Sequence, residues 1–277
     1  MAKGIGLIGN FKGKVGNTVG YKLTASNNGQ TQGIRVYQPI VKNPKSAGQA
    51  EQRAKLLAVN ATYRALKMVI DRGNEGLPYG NKTRLAWLKG ALKASEMPWF
   101  EKGTIPTHFV GCQLTKGSLN SIGSNPYDEF LDISCNGATA ASDVTTIGKV
   151  SELLKSAYTF LKEGDQITLV VVSLNTDAPM VDVNSLVIDS TSTTAQSLLT
   201  AKENGLQFEA ADVIIGSAVI VSRQGDNGEH LRSTESLSIQ NSVITAAPYD
   251  AASKAAAIAS YRASAASNSD WAEESIQ

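Results

Sequence analysis

Apolar and small side chains recur at steps of three and four through the segment after Pro44. Ala50, Ala54, Leu57, Ala61, Ala65 and Met68 line one face, while Glu51, Arg53, Lys55, Arg64 and Lys67 fall off it. This periodicity predicts a helix from about Ala47 to Ile70 with Ser46 as its N-cap. Small residues on the stripe let a second helix approach closely. Gly73, Gly76, Pro78 and Gly80 interrupt the pattern, and Leu85, Leu88 and Leu92 then predict a second helix from about Lys82 to Ala94. Residues 46–103 thus read as a helical hairpin, anchored at its end by Met97-Pro98-Trp99-Phe100.

After a boundary at Gly103 to Pro106 the pattern turns to strands, and residues 104–248 read as a mostly antiparallel, β-rich domain. Strands are expected near His108–Leu114, Phe130–Ser134, Gln166–Leu174, Leu186–Asp189, Val213–Arg223 and Leu231–Ile244. Ile214–Val221 is apolar at nearly every position, the mark of a central strand covered on both faces. Gln224-Gly225-Asp226-Asn227-Gly228 predicts the turn of an antiparallel hairpin to Leu231–Ile239. Val150, Leu153, Leu154, Ala157 and Leu161 predict an amphipathic helix ending near Gly164, and Leu198–Ala201 a shorter one ending near Gly205. The fold class is therefore α+β. Residues 249–277 form an Ala/Ser-rich tail with helix propensity but little to bury, ordered by docking or by neighbouring chains.

Residues 1–45 are rich in Gly, Asn, Thr and Gln. Short β-prone pieces at Thr18–Thr24 and Gly33–Ile40 flank the turn signal Ser26-Asn27-Asn28-Gly29 and predict an extended arm or two-stranded ribbon. A lone ribbon is marginal in water, so it is expected to lean on another subunit, another domain or a ligand.

Charge sharpens that expectation. Residues 1–103 carry 17 basic and 5 acidic side chains, whereas residues 104–277 carry 9 and 20, although the whole chain is nearly neutral at +1. The candidate contact set is Lys12, Lys14, Lys22, Arg35, Lys42, Lys45, Arg53, Lys55 and Arg64, interleaved with Phe11, Tyr21, Tyr37 and Tyr63. Cations with aromatic faces suit single-stranded nucleic acid, and the same split suits head-to-tail attraction between copies or a plain solvated surface.

Known reaction and cofactor patterns do not fit. Gly4-Ile5-Gly6-Leu7-Ile8-Gly9 has dinucleotide-loop spacing, but no strand precedes it, no apolar-periodic helix follows it, and the first carboxylate is Glu51. Gly13-Lys14 has Ile8 in place of the first glycine of a phosphate loop and Val15 in place of its hydroxyl. His108 and His230 stand in no metal-ligand or triad spacing, and Cys112 and Cys135 read as two ordinary half-buried thiols, with a disulfide between them in an oxidising environment as the minor alternative. Carboxylate pairs such as Asp128-Glu129 and Glu273-Glu274 sit in polar surroundings. We expect no enzyme activity, no cofactor and no metal. The longest apolar runs fall short of a membrane span, and the N-terminus lacks the pattern of a secretory signal.

Gly13-Lys14-Val15-Gly16-Asn17-Thr18-Val19-Gly20 and Asn43-Pro44-Lys45-Ser46-Ala47-Gly48-Gln49-Ala50-Glu51-Gln52-Arg53-Ala54 resemble, in sequence and spacing, a family of uncharacterised proteins from Bacteroidetes and their gut phages. Tyr79-Gly80 with Arg84-Leu85-Ala86-Trp87, Lys116-Gly117-Ser118-Leu119, and Ser222-Arg223 with Leu231-Arg232-Ser233-Thr234 resemble members encoded by small gut bacteriophages. The resemblance is strongest over residues 1–95 and patchy afterwards. It implies an origin and transfers no catalytic residue. Together these readings lead us to expect an oligomeric phage virion structural or assembly protein. It would contact copies of itself or other virion subunits through its basic N-terminal half, and it would be assembled in the bacterial host cytoplasm. The alternative expectation is a nucleic-acid-binding accessory protein of genome packaging.

Overall fold

The computed structural model describes residues 13–15, 18–22, 32–36, 46–126, 130–135, 140–174, 179–226 and 228–263. The chain divides into two compact units, Met1–Pro44 and Lys45–Gln277.

The first unit holds β1 (Gly13–Val15), β2 (Thr18–Lys22) and β3 (Gln32–Val36), which pair antiparallel in that order. The expected two-stranded ribbon is therefore three-stranded. The added strand is only three residues long, too short to show a period of two. The turn expected at Ser26–Gly29 lies outside the described residues. Lys14 stands opposite Val19, and Val19 in turn opposite Arg35.

The second unit opens with α1 (Ala47–Ala65), capped by Ser46, whose hydroxyl accepts from the Gln49 N–H. At Leu66 the backbone leaves helical geometry (φ −102°, ψ 20°), and α2 (Lys67–Ile70) follows. The buried face follows an i, i+4 row that departs from the expected stripe at Ala58, ahead of that break. Ala50, Ala54, Ala58, Val59, Thr62, Leu66 and Ile70 are buried, whereas Ala65 and Met68 of the expected stripe are exposed. The next helix, α3 (Asn81–Ala91), buries Thr83, Trp87 and Ala91. Leu88 and Leu92 are half-buried and Leu85 is 56% exposed, so the expected leucine face is not the principal one. Burying the Trp87 indole removes more apolar surface than burying Leu85 would, which decides the rotation.

The strands of this unit are β4 (Gln113–Thr115), β5 (Ser124–Pro126), β6 (Phe130–Ser134), β7 (Gln166–Leu174), β8 (Pro179–Val187), β9 (Thr200–Lys202), β10 (Gly205–Glu209), β11 (Val213–Gln224), β12 (His230–Arg232), β13 (Glu235–Ser236) and β14 (Ser238–Ile239). The principal sheet has the order β12-β11-β7-β8, with β14 also on β11, and a second sheet runs β5-β6-β10-β9. All strand pairings are antiparallel and helices accompany them, so the class is α+β. The expected strand at His108–Leu114 contracts to β4, paired with β13. Leu198–Ala201 is not helical. It leads into the β9–β10 hairpin, whose turn uses Asn204 at φ 58° before Gly205. Asn-Gly is a hairpin signal that outweighs the short leucine pair.

Strands β7 and β11 are covered on both faces, because successive side chains point to opposite sides. Val170, Val172, Ala218 and Ile220 join the core formed with α1, α3, Met97, Trp99 and Phe100. Ile167, Leu169, Val171, Val219 and Val221 join a second core with Leu131, Ile133, Leu206 and Phe208. This second core also receives Val150 and Leu154 of α4 (Ile147–Ala157), which is capped by the Thr146 hydroxyl. Segments 46–103 and 104–248, distinct in sequence pattern, thus share one hydrophobic core.

After the short α5 (Asn241–Ile244), the alanine-rich α6 (Ala251–Ala263) packs on α1. The small-residue stripe of α1 therefore meets a helix of the same chain. Ala54, Ala58 and Ala257 are fully buried there. The rest of the tail lies outside the described residues.

Candidate anion-binding cleft

Of the nine cations singled out in the sequence, Lys14, Lys22 and Arg35 sit on the strands of the first unit, and Lys12, Lys42 and Lys45 lie outside the described residues. Arg53, Lys55 and Arg64 sit on α1. Lys55 is engaged within the chain. Its ammonium is 3.1 Å from Glu51 and 5.9 Å from the Trp99 ring centre, and Lys254 of α6 reaches the same two groups at 3.2 and 4.9 Å. Arg64 is exposed and Arg53 half-buried. Tyr63 is also committed internally: its hydroxyl donates to Asp71 at 2.8 Å, and the Arg84 guanidinium lies 4.6 Å from its ring centre.

A different cationic site forms where the loop after α2 meets one end of the principal sheet. Register carries Gln166 opposite Ser222, Ser222 opposite Arg232, and Gln224 opposite His230. These positions share the sheet face that carries Val170 and Ala218 further along, so the polar end continues the apolar layer beneath the helices. Arg72 and Tyr79 approach from the loop. They border a cavity of about 280 Å³ with Gln166, Ser222, His230 and Arg232. An adjoining cavity of about 350 Å³ shares Tyr79, His230 and Arg232 and is bordered by Leu77 and Glu229.

The planar groups lie near one another. The Arg72 guanidinium is 5.8 Å from the Tyr79 ring centre, and the Tyr79 and His230 rings are 6.0 Å apart at 38°. Among the described residues neither Arg72 nor Arg232 forms a side-chain ion pair.

The third arginine here has a structural task. Arg223 occupies the alternate position on β11, and its guanidinium is bound to Asp165 and to the Phe160 carbonyl. It therefore fixes the end of the sheet and leaves Arg72 and Arg232 as the available guanidiniums.

Glu75 holds the loop in place. Its carboxylate accepts from the Ser118 N–H at 2.9 Å, the Ser118 hydroxyl at 2.9 and 3.1 Å, and the Arg232 N–H at 3.3 Å. Desolvation raises its pKa, but the bonds from Ser118 and Arg232 outweigh that effect and hold the carboxyl below its usual range. Backbone bonds complete the tie: Glu75 N–H to Lys116 O at 2.9 Å, Lys116 N–H to Gly73 O at 2.8 Å and Leu119 N–H to Arg232 O at 2.9 Å.

Local spacing does not single out this site: His230 stands in no metal or triad pattern, Tyr79 and Arg232 fall within resembling segments, and Arg223 ends an expected strand. The convergence of those segments with Lys116-Gly117-Ser118 on Glu75 depends on long-range pairing, which no local spacing displays. Both cysteines are buried and free, with thiols pushed up by burial to about 12 at Cys112 and about 11 at Cys135. Among the described residues no three His, Cys, Asp or Glu side chains are grouped to hold a metal ion, and no helix is long and apolar enough to cross a membrane. No protein-family model, curated protein or solved structure matches this chain.

Proposed function

We propose that the chain is a non-enzymatic structural or assembly protein of a bacteriophage virion, assembled in the host cytoplasm, and that Met1–Pro44 makes its contacts to neighbouring subunits. The observation that carries this reading is the separate three-stranded sheet. Its strands are three, five and five residues long, they contain Gly13, Gly20 and Gly33, and Val36 is 71% exposed. So small a sheet with that much glycine gains little from its own burial, which favours a subunit surface as its support. The opposite charges of the two parts of the chain supply the attraction for a head-to-tail contact. Burial pushes the Cys112 and Cys135 thiols up to about 12 and about 11, which argues against a cysteine nucleophile.

The test is mass spectrometry of purified particles combined with cross-linking. The chain should be a stoichiometric component, with cross-links from Lys14 or Lys22 to a neighbouring subunit. Particles that lack the chain would overturn the reading.

Nucleic-acid contact during packaging is the second reading, favoured by the cross-strand row that brings Lys14 and Arg35 to either side of Val19. It requires affinity that falls steeply between low and moderate salt and is lost on charge reversal at Lys12, Lys14, Lys22 and Arg35. Salt-insensitive binding rules it out.

A further inference from the structure

We propose that the cleft bordered by Arg72, Tyr79, His230 and Arg232 binds a nucleotide, with the two arginines on its phosphate and the aromatic rings against its base. The site belongs to the Lys45–Gln277 unit and does not depend on the reading of Met1–Pro44.

The available charge comes first. Arginines with little exposure ordinarily have carboxylate partners, as half-buried Arg223 has in Asp165. Arg232 is only half-exposed and borders both cavities, yet its guanidinium has no ion pair among the described residues. Arg72, exposed and bordering one of the same cavities, has the Tyr79 ring as its neighbour and likewise no ion pair among the described residues. Two guanidiniums facing one cavity repel each other, and a bound phosphate oxyanion converts that repulsion into charge-assisted hydrogen bonds. Glu229 is the carboxylate on the rim, where it favours a ligand with a polar uncharged edge over a second anionic group.

Shape and flat surfaces then select among phosphates. The adjoining cavities exceed what inorganic phosphate fills, and Tyr79, 53% exposed, and exposed His230 present ring surface to them. Rings of this kind stack on any base. Ser222, Gln166 and Gln224 supply neutral donors and acceptors on the sheet face for a sugar or base edge. Glu75 is engaged by its bonds from Ser118 and the Arg232 backbone N–H, and it holds the wall through them.

The experiment is calorimetric titration of the full chain with inorganic phosphate, adenosine monophosphate and a ten-residue oligothymidylate. Adenosine monophosphate should bind about tenfold more tightly than phosphate, the amount that stacking one base supplies. Arg72→Gln with Arg232→Gln should weaken it by about tenfold or more, and Tyr79→Leu should reduce it to the level of phosphate. Lys14→Gln with Arg35→Gln should leave it unchanged. Oligothymidylate binding more tightly than the mononucleotide, and displaced by it, identifies a single strand as the source. The reverse order identifies a free nucleotide. The proposal is overturned if the mononucleotide binds no better than phosphate, or if the arginine pair leaves affinity intact. Should that double variant fail to fold, the Tyr79→Leu titration decides, because that ring is largely exposed.

Discussion

Arg223 grips the buried carboxylate of Asp165 in a two-pronged pair, with both nitrogen–oxygen distances at 2.6 Å. Asp165 is fully buried, and it also accepts from the Lys162 N–H at 2.8 Å. The pair ties the start of β7 to the end of β11 and so fixes the end of the sheet on which the cleft is built. Removing Arg223 leaves the Asp165 carboxylate buried without a counter-charge. Arg223→Ala should therefore destabilise the chain by about 3–5 kcal/mol, read from urea unfolding. Asp165→Leu with Arg223→Met should cost clearly less than the single change. Equal losses would show that the geometry of the pair, and not the orphaned charge, sets the cost.

The two glycines Gly73 and Gly90 should respond to alanine with opposite signs. A Cβ at Gly73 would lie 2.4 Å from the Leu114 carbonyl oxygen, a backbone atom that has little room to yield. The same glycine accepts from Lys116 N–H, so the substitution disturbs the support of the cleft. Gly90 lies inside α3, exposed, with nothing within 4 Å of the added carbon. Gly90→Ala should stabilise by roughly 0.5–1 kcal/mol, whereas Gly73→Ala should destabilise by roughly 1–3 kcal/mol. Thermal unfolding of the two variants measures the difference directly.

Much of the scaffold was legible because its signals are local. Ser46 capping α1, the amphipathic α4, the apolar β11 and the hairpin from β11 to β12 each follow from a turn residue or a period within about fifteen positions. The stripe on α1 was readable only as far as Ala54, because the buried row then steps by four to Ala58 and Thr62 and leaves Leu57 and Ala61 half-buried at its edge. The alanine stripe showed that a helix would approach closely, but not that α6, some 200 positions later, would be that helix. The cleft was illegible for the same reason: Glu75 and Arg232 meet across 157 positions. Arginine and tyrosine on exposed loops carry no periodic signature, so their convergence emerges only when both cores are assembled.

That α1–α6 contact separates packing from charge. Ala257 is fully buried in the cluster that contains Ala54 and Ala58, so Ala257→Leu forces bulk into a filled site and should cost about 1–3 kcal/mol. Glu51→Gln removes the partner of both Lys55 and Lys254, yet those groups are partly solvated and the loss should stay below about 1 kcal/mol. Chemical denaturation should rank the two in that order. The opposite ranking would mean that the ion pairs, and not the alanine contact, dock α6.

Glu75 makes the support of the cleft dependent on pH. Its carboxyl is held below the reference value of 4.5 in the folded chain by bonds from Ser118 and Arg232 that prevail over desolvation. A depressed folded pKa means that the unfolded chain takes up the proton first as pH falls. The stabilisation is therefore complete above the unfolded value near 4.5, declines below it, and is gone once pH drops through the folded value. Glu75→Gln keeps the size of the side chain but removes its charge. At pH 7 it should lower stability by roughly 1 kcal/mol, discounted from the larger worth of a charge-assisted bond because the carboxylate is partly solvated. The gap between wild type and variant should hold steady from neutral pH to above 5 and close as the solution is acidified further. A gap that persists unchanged below pH 3 would mean that the Glu75 charge plays no part in holding the loop to Ser118 and Arg232.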